Sequence, residues 1–277
     1  MEDYTGKTVV ITGGTSGLGY AFANILGTRG ANIVITGRRE EKGQQALEKL
    51  QAEGISARYI QQDVSNESDW NNLAFAVKSE FGTVDYLFNN AGVMLQPNAL
   101  MKTSLDDWKW IVDTNFWGSL YGLRIFSGLM FTQPEGGRII TTASTAGVSA
   151  FSGWAPYSVT KTALVRLVEN YQAEALKFDL TKVKYNVSLP GVFESEIANS
   201  TLHRNQEYNN INGNGQEMPL SVAHTESGDR LGMLTADETA HIILDQIDEG
   251  HFYLLPHADL TERVVTLEAE ALNNNGQ

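Results

Sequence analysis

Short apolar runs and longer segments of helical period alternate along the chain. The apolar runs, rich in β-branched and aromatic residues, predict strands at 8–12, 32–36, 57–61, 84–89, 138–142, 184–189 and 252–255. Between them, apolar side chains recur every three or four residues and predict helices, the longest from Ala155 to Lys177. Strands that each feed a helix need cover on both faces. The pattern therefore predicts a single α/β domain with a doubly wound, mostly parallel, seven-stranded sheet and helices on both faces.

One segment interrupts this alternation. Residues 195–234 are rich in Asn, Gly and Ser, include the Asn-rich stretch 199–216, and show no sustained period. A long irregular segment in a compact domain is usually either functional or disordered. We expect a substrate-binding lid here, with a solvated excursion of no role as the alternative. The single domain spans 1–277, and residues 273–277 form a tail that we expect to be frayed.

The charge balance limits the classes of partner. The 277 residues carry a formal net charge of −13, which repels phosphate backbones and anionic lipid headgroups. Nucleic acid and membrane surfaces are therefore poor partners. The N-terminus lacks the apolar run of a signal peptide, and no later stretch is long enough to span a bilayer. We expect a cytoplasmic protein that acts on a small molecule.

Thiol and metal chemistry find little support in the residue types. The chain has no cysteine, which excludes disulfides, thiolate catalysis and thiolate-bound metals. We also expect no metal in the active site, because the histidines show no ligand spacing, although an ion at a subunit interface stays open. The histidines are His203, His224, His241, His251 and His257.

A glycine-rich turn, 12–19, follows the first predicted strand directly and leads into helical pattern that runs to Thr28. Glycine lets the backbone approach a pyrophosphate, and the next helix offers free N–H groups and the positive end of its dipole. The turn predicts a dinucleotide site, with a turn that binds nothing as the alternative. No Lys-Ser or Lys-Thr follows at the spacing of a triphosphate-binding loop. The predicted cofactor contacts in the turn are Gly13, Thr15, Ser16, Gly17, Leu18 and Gly19.

The end of the second predicted strand bears on which dinucleotide binds. An acidic residue there would bind the ribose hydroxyls of NAD, whereas a guanidinium suits the 2′-phosphate of NADP. Gly37 is followed by Arg38 and Arg39, so we expect NADP(H), with NAD(H) as the less favoured cofactor. The alternative is that both arginines are ordinary solvated charges at a helix start.

Tyr157 and Lys161 are the candidate acid–base pair. They lie four residues apart on the long predicted helix and share one face. Because an ammonium favours an ionised phenol, whose ordinary pKa is about 10, we expect Lys161 to tune Tyr157. A Tyr and a Lys four residues apart also arise by chance, so other candidate site residues must support the assignment. Ser144 closes a strand at the ligand-binding edge of the sheet and could hold a substrate oxygen. Asn115, a helical amide, is the fourth candidate.

Together these residues resemble the short-chain dehydrogenase/reductase family in its common single-domain, Rossmann-like form. The resemblance covers roughly residues 5–256. The motifs that carry it occur in the family's order: the glycine turn, Asp63-Val64, Asn89-Asn90-Ala91-Gly92, Asn115, Ser144, Tyr157 to Lys161, Asn186-Val187 and Pro190-Gly191. The resemblance implies an oxidoreductase that interconverts a ketone or aldehyde and an alcohol by hydride transfer with a nicotinamide cofactor.

The resemblance also implies roles for the cofactor-binding residues. Asp63 would bond the adenine with Val64 against the ring, residues 89–92 would support the cofactor, and residues 190–192 would line the nicotinamide. The implied cofactor contacts beyond the glycine turn are Arg38, Arg39, Asp63, Val64, Asn90, Ala91, Gly92, Tyr157, Lys161, Pro190, Gly191, Val192 and Ser195. Two positions depart from the family: Ser16 stands where many NADP-preferring relatives have a basic residue, and Tyr185 where an Arg is common.

For catalysis the resemblance implies four roles. Tyr157 would be the general acid/base, Ser144 would hold the substrate oxygen, Lys161 would bind the nicotinamide ribose, and Asn115 would hold a water in a proton relay. A homodimer or homotetramer through the predicted helices at 117–130 and 155–178 is also implied.

The substrate itself is not encoded by these motifs. Besides Ser144 and Tyr157, we expect the substrate to meet Met94, Phe151, Trp154 and Phe193, which could equally be core residues. The alternatives for the whole protein are a catalytically silent NADP-binding regulatory or scaffold protein, an NAD-preferring alcohol dehydrogenase, and an epimerase or dehydratase that retains NAD.

Overall fold

Seven parallel strands form one sheet at the centre of the protein. They are β1 (Thr8–Thr12), β2 (Asn32–Gly37), β3 (Ala57–Gln61), β4 (Tyr86–Asn89), β5 (Gly137–Thr142), β6 (Val183–Ser188) and β7 (Tyr253–Leu254). The strand order is β3-β2-β1-β4-β5-β6-β7, which confirms the predicted doubly wound α/β fold. The computed structural model describes residues 3–193, 195–204, 233–259, 261–262 and 265–266.

Helices follow the strands and cover both faces of the sheet. They are α1 (Gly17–Thr28), α2 (Glu40–Ala52), α3 (Glu67–Phe81), α4 (Leu105–Ile111), α5 (Gly118–Phe131), α6 (Ala155–Lys177) and α7 (Ala236–Asp248). Neighbouring residues of β1 point to opposite faces: Ile11 packs in one core cluster, with Phe22 of α1, and Val10 in the other, with Phe126 of α5. None of the helices in the described ranges is long and apolar enough to cross a membrane.

The sheet is buried on both faces, as a parallel sheet between helices requires. All five residues of β1 are buried, which explains why its three central residues are all apolar. Several strands begin or end one residue away from the prediction, and the largest difference, two residues, is at the start of β4. Val84 is fully buried but precedes β4, because the side chain of Gln133 binds both of its backbone groups. The Val84 N–H donates to Gln133 Oε1 at 2.8 Å, and Gln133 Nε2 donates to the Val84 carbonyl at 2.9 Å.

The start of the irregular segment is more ordered than its sequence indicated. Residues Glu196–His203 form a 3₁₀ helix that buries Ala198 and Thr201. Arg204, which follows it, forms an ion pair with Asp107 of α4, and each side chain is only 3% exposed. Most of the predicted lid, 205–232, and the predicted tail, 273–277, lie outside the described residues.

Candidate active site

A cavity of about 680 Å³ opens at the carboxyl ends of the strands, where ligands bind in open parallel sheets. The glycine turn and Arg38 line one part of it, and Ser144, Tyr157 and Lys161 line another. Residues far apart in the sequence therefore meet at one site because their strands end at the same edge.

The glycine turn lies tightly against the turn after β4. Gly13 has φ +65°, and a Cβ there would be 3.0 Å from Ala91 Cα. At Gly19 a Cβ would be 2.4 Å from the Gly13 carbonyl oxygen and 2.8 Å from Asn90 Nδ2. Ser16, at the N-cap of α1, makes no side-chain capping hydrogen bond. The local structure thus needs glycine and fits an anion at the start of α1.

Asn90 joins the ends of three strands. Its Nδ2 donates to the Thr12 carbonyl at 3.0 Å, and its Oδ1 accepts from the Thr142 hydroxyl at 3.2 Å. The Thr12 hydroxyl in turn accepts from the N–H groups of Asn90 and Ala91, both at 3.0 Å. Polar links of this kind fix the floor of the cavity. Thr12, a part of this network, was not predicted as a site residue.

Basic side chains gather after β2. Arg38 and Arg39 line the cavity, and Arg38 Nη2 donates to the His203 carbonyl at 3.2 Å. Lys42 of α2 forms an ion pair with Glu196. The hydrogen bond from Lys42 lowers the pKa of Glu196. These contacts tie the 3₁₀ helix to the end of β2.

The predicted adenine-binding pair is only partly at the cavity. Val64 lines it, whereas the Asp63 side chain does not; the Asp63 carboxylate accepts from the Ser65 N–H at 3.0 Å and hydroxyl at 2.6 Å. Gln62, which was not predicted, also lines the cavity. Its Oε1 accepts from the Thr36 hydroxyl at 2.7 Å, and its buried Nε2 has no hydrogen-bond partner within the part of the chain that is described. A ligand acceptor would satisfy that amide.

Ser144 and Tyr157 meet directly. Ser144 follows β5, is 8% exposed, and accepts a hydrogen bond at Oγ from the Ala146 N–H at 3.1 Å. It donates to the Pro190 carbonyl at 3.4 Å and forms a hydrogen bond with the Tyr157 hydroxyl. The hydroxyl groups of Ser144 and Tyr157 thus lie side by side in the lining of the cavity.

Lys161 is 2% exposed, and its ammonium lies 5.5 Å from the centroid of the Tyr157 ring. Burial raises the pKa of Tyr157 to about 12, and the Ser144 hydrogen bond opposes this. Burial lowers the pKa of Lys161 to about 7. This differs from the expectation that Lys161 lowers the Tyr157 pKa, because loss of water disfavours the charged form of both groups.

Asn115 lies behind the cavity wall. It occupies a π-helical turn, Val112–Trp117, that joins α4 to α5, and it is fully buried. Its Oδ1 accepts from the Val93 N–H at 2.8 Å, and its Nδ2 donates to the Val93 carbonyl at 2.9 Å and to Thr160 Oγ1 at 3.2 Å. A Cβ on Gly92 would be 3.4 Å from both Asn115 Oδ1 and Lys161 Nζ. The Asn115 amide and the Lys161 ammonium therefore lie close to each other, both beside Gly92.

The predicted substrate contacts Met94, Phe151, Trp154 and Phe193 all line the cavity. Met94 is also buried against Ala198 of the 3₁₀ helix. A further lining residue, His257, accepts a hydrogen bond at Nδ1 from the Gly191 N–H at 3.1 Å. Its position shortly after β7 is the signal that could have identified it, since the same strand-end rule identified Ser144.

The chain matches the short chain dehydrogenase family over residues 7–206. It is 28% identical over 262 residues to the C alpha-dehydrogenase of Sphingobium sp. strain SYK-6, covering 95% of this chain and 84% of that protein. It is 31% identical over 202 residues to the uncharacterized oxidoreductase Lin0452 of Listeria innocua, covering 73% of this chain and 80% of the relative.

The fold is also similar to solved structures. A short chain dehydrogenase/reductase from Burkholderia phymatum, in complex with NAD, is 30% identical, with a TM-score of 0.89 over 99% of this chain and 97% of that chain. The apo form of LigD from Sphingobium sp. strain SYK-6 is 25% identical, with a TM-score of 0.77 over 98% of both chains. The chain belongs to the short-chain dehydrogenase/reductase family, whose members are oxidoreductases that transfer hydride with NAD(P).

Proposed function

We propose that the protein is an NADP(H)-dependent oxidoreductase that interconverts a ketone or aldehyde and the corresponding alcohol. One observation carries the proposal: Ser144, Tyr157 and Lys161 converge on a cavity whose other part is bounded by the glycine turn and Arg38. A catalytically silent binding protein would have no need of a buried Lys161, since burying an ammonium is costly.

The residues present fit a dinucleotide. Gly13 and Gly19 leave space that a Cβ would fill, the start of α1 suits a pyrophosphate, and Gln62 Nε2 lacks an acceptor among the described residues. Arg38 and Arg39 lie at the strand end that would meet the adenosine ribose. Their guanidinium groups favour the 2′-phosphate of NADP over NAD.

The chain's own side chains handle the proton. A bound nicotinamide cofactor supplies or accepts the hydride. Ser144 orients the substrate oxygen, and Tyr157 donates a proton to it in reduction or takes one in oxidation. Because burial raises the pKa of Tyr157 to about 12, the hydroxyl keeps its proton at neutral pH and is ready to act as an acid. A charged Lys161 would stabilise the phenolate that remains.

Asn115 completes the proposed proton path. Its hydrogen bonds to Val93 and Thr160 hold it beside Gly92 and Lys161. A water bound there would connect Lys161 to solvent, so that the Tyr157 proton is replaced after each turnover. The substrate carbon would lie among Met94, Phe151, Trp154 and Phe193, which favours a largely apolar substrate.

Steady-state assays test the proposal. A panel of ketones and alcohols is assayed with NADPH, NADH and their oxidised forms, with reduced-nicotinamide absorbance as the readout. We expect turnover of at least one carbonyl/alcohol pair, with NADPH giving the higher kcat/KM. Binding of cofactor without turnover of any pair would favour the silent binding protein, and a higher kcat/KM with NADH would overturn the cofactor assignment.

We also propose that two or four copies assemble through α5 and α6. Val159 of α6 is 52% exposed, and Trp117, directly before α5, is 42% exposed. Apolar side chains at the surface of neighbouring helices are typical of an interface in symmetric oligomers. Light scattering of the wild type and of Val159→Glu gives the mass, and a monomeric wild type would contradict this assignment.

A further inference from the structure

His257 and Ser144 both form hydrogen bonds with the loop that contains Pro190 and Gly191. His257 lies shortly after β7 and lines the cavity, and its Nδ1 accepts a hydrogen bond from the Gly191 N–H at 3.1 Å. On the other side of the same peptide bond, the Pro190 carbonyl accepts from Ser144 Oγ at 3.4 Å and from the Thr145 N–H at 3.0 Å. One peptide unit is therefore bound by the imidazole at its N–H and by the serine hydroxyl at its C=O.

The geometry of a peptide bond makes these two contacts mechanically linked. No cis peptide occurs in the described residues, so the carbonyl and the N–H of this unit point in opposite directions within one plane. An acceptor at the N–H limits rotation of that plane and also polarises the carbonyl, which strengthens the hydrogen bond that the carbonyl accepts. The contact made by His257 is thereby transmitted to Ser144.

We propose that His257 is a positioning residue for the reaction: it orients Ser144 through the peptide bond between Pro190 and Gly191. The proposal rests on the role of Ser144 in the proposed function. His257 itself contacts neither Ser144 nor Tyr157 in the hydrogen bonds of the described residues. Its effect is on where Ser144 Oγ lies and on whether its single proton goes to the Pro190 carbonyl or to a substrate oxygen.

The state of the imidazole is compatible with this role. Nδ1 can accept from Gly191 only when the ring is neutral, with its proton on Nε2. Burial lowers the pKa of His257 and is the larger effect, while the Val192 backbone raises it. Nε2 is buried and has no hydrogen-bond partner in the described ranges. The Gly191 N–H is thus the donor from which Nδ1 accepts.

Two variants separate the hydrogen bond from the space that the ring fills. His257→Asn keeps an acceptor near the place of Nδ1, whereas His257→Phe keeps a ring and removes the acceptor. We expect kcat to fall about tenfold in His257→Phe, as loss of one hydrogen bond gives, and to recover at least half of that loss on a logarithmic scale in His257→Asn. His241→Phe, on the exposed side of α7, is the matched control and should not change kcat. Equal losses in His257→Phe and His257→Asn would overturn the proposal.

A double-mutant cycle with Ser144→Ala identifies the route of the effect. If His257 acts through Ser144, His257→Phe should change kcat by less than about twofold in the Ser144→Ala background. The same tenfold loss in both backgrounds would assign His257 a merely structural role. If His257→Phe does not fold, as judged by its thermal unfolding, His257→Ala takes its place in the cycle with the same two outcomes. An unchanged kcat in Ser144→Ala alone would instead contradict the proposed function, so the two failures are distinguishable.

Discussion

Lys161 Nζ donates a hydrogen bond to the carbonyl oxygen of Thr142 at 2.8 Å. Thr142 ends β5, and its hydroxyl donates to Asn90, so the lysine is attached to the network that joins the strand ends. This contact fixes the ammonium beneath the Tyr157 ring, in a place that water hardly reaches. The lysine is therefore held in this place at a cost in stability, because burial disfavours its charged form.

That cost predicts a pH-dependent stability. The pKa of Lys161 falls from 10.5 in the unfolded chain to about 7 in the folded protein. Between these values the unfolded state binds more protons, so the free energy of unfolding rises with pH, by about 3 kcal/mol between pH 6 and 9 at most. Lys161→Met should lack this increment. Urea unfolding of both proteins at several pH values measures it, and parallel pH profiles would contradict the burial effect.

A Gly→Ala change in the glycine turn should have the opposite effect on stability from the same change in α5. Gly19→Ala forces a Cβ against the Gly13 carbonyl and Asn90, so we expect lower stability and cofactor affinity reduced at least tenfold, equivalent to about 1.4 kcal/mol. Gly128→Ala, also in a helix, meets open space and should stabilise by about 0.5–1 kcal/mol. Unfolding and cofactor titrations compare them. Unchanged cofactor affinity in Gly19→Ala would show that the turn is not at the cofactor.

Arg38 should decide between the two cofactors. Arg38→Gln removes the guanidinium while keeping a polar side chain, and we expect NADP(H) affinity to fall roughly tenfold or more with little change for NAD(H). Arg124→Gln, at an exposed arginine of α5, is the control for loss of charge. Gly37→Asp should move the cofactor preference towards NAD(H) by roughly the same factor, although its Cβ would lie 3.0 Å from Thr15 Cγ2. Equal losses for both cofactors in Arg38→Gln would place the arginine away from the 2′-phosphate.

The buried pair Arg204–Asp107 connects the 3₁₀ helix to α4. Arg204→Met leaves a buried carboxylate without its main cation, so we expect a loss of roughly 3–5 kcal/mol in the free energy of unfolding. Arg204→Met combined with Asp107→Asn should be more stable than Arg204→Met alone, because the uncompensated charge is gone. Chemical denaturation measures the free energy of unfolding of the wild type, Arg204→Met and the double variant. A double variant that is no more stable would show that the charge is not what matters.

The sequence predicted the parts of the protein that follow from periodicity and from the strand-end rule. The order of strands and helices, the glycine turn, and the convergence of Ser144 with Tyr157 all depend on local pattern plus parallel topology. α6 begins and ends at the predicted residues, since its apolar period is long and uninterrupted.

What the sequence could not predict depends on tertiary contacts. Val84 leaves the strand because Gln133, far along the chain, binds its backbone. The pKa of Tyr157 rises because the folded protein excludes water, which the spacing to Lys161 does not reveal. The 3₁₀ helix 196–203 carries no clear period, and it is held by contacts of Arg204 and Glu196 with other helices.

The central claim is that Tyr157 transfers the proton, and Tyr157→Phe tests it most directly. The measurement is kcat in the reductive direction at neutral pH, together with the Kd of the reduced cofactor, in wild type, Tyr157→Phe and the control Tyr171→Phe on the same helix. We expect Tyr157→Phe to bind cofactor within twofold of wild type and to lose at least about 10²-fold in kcat, while Tyr171→Phe stays active. Wild-type turnover in Tyr157→Phe would contradict the account.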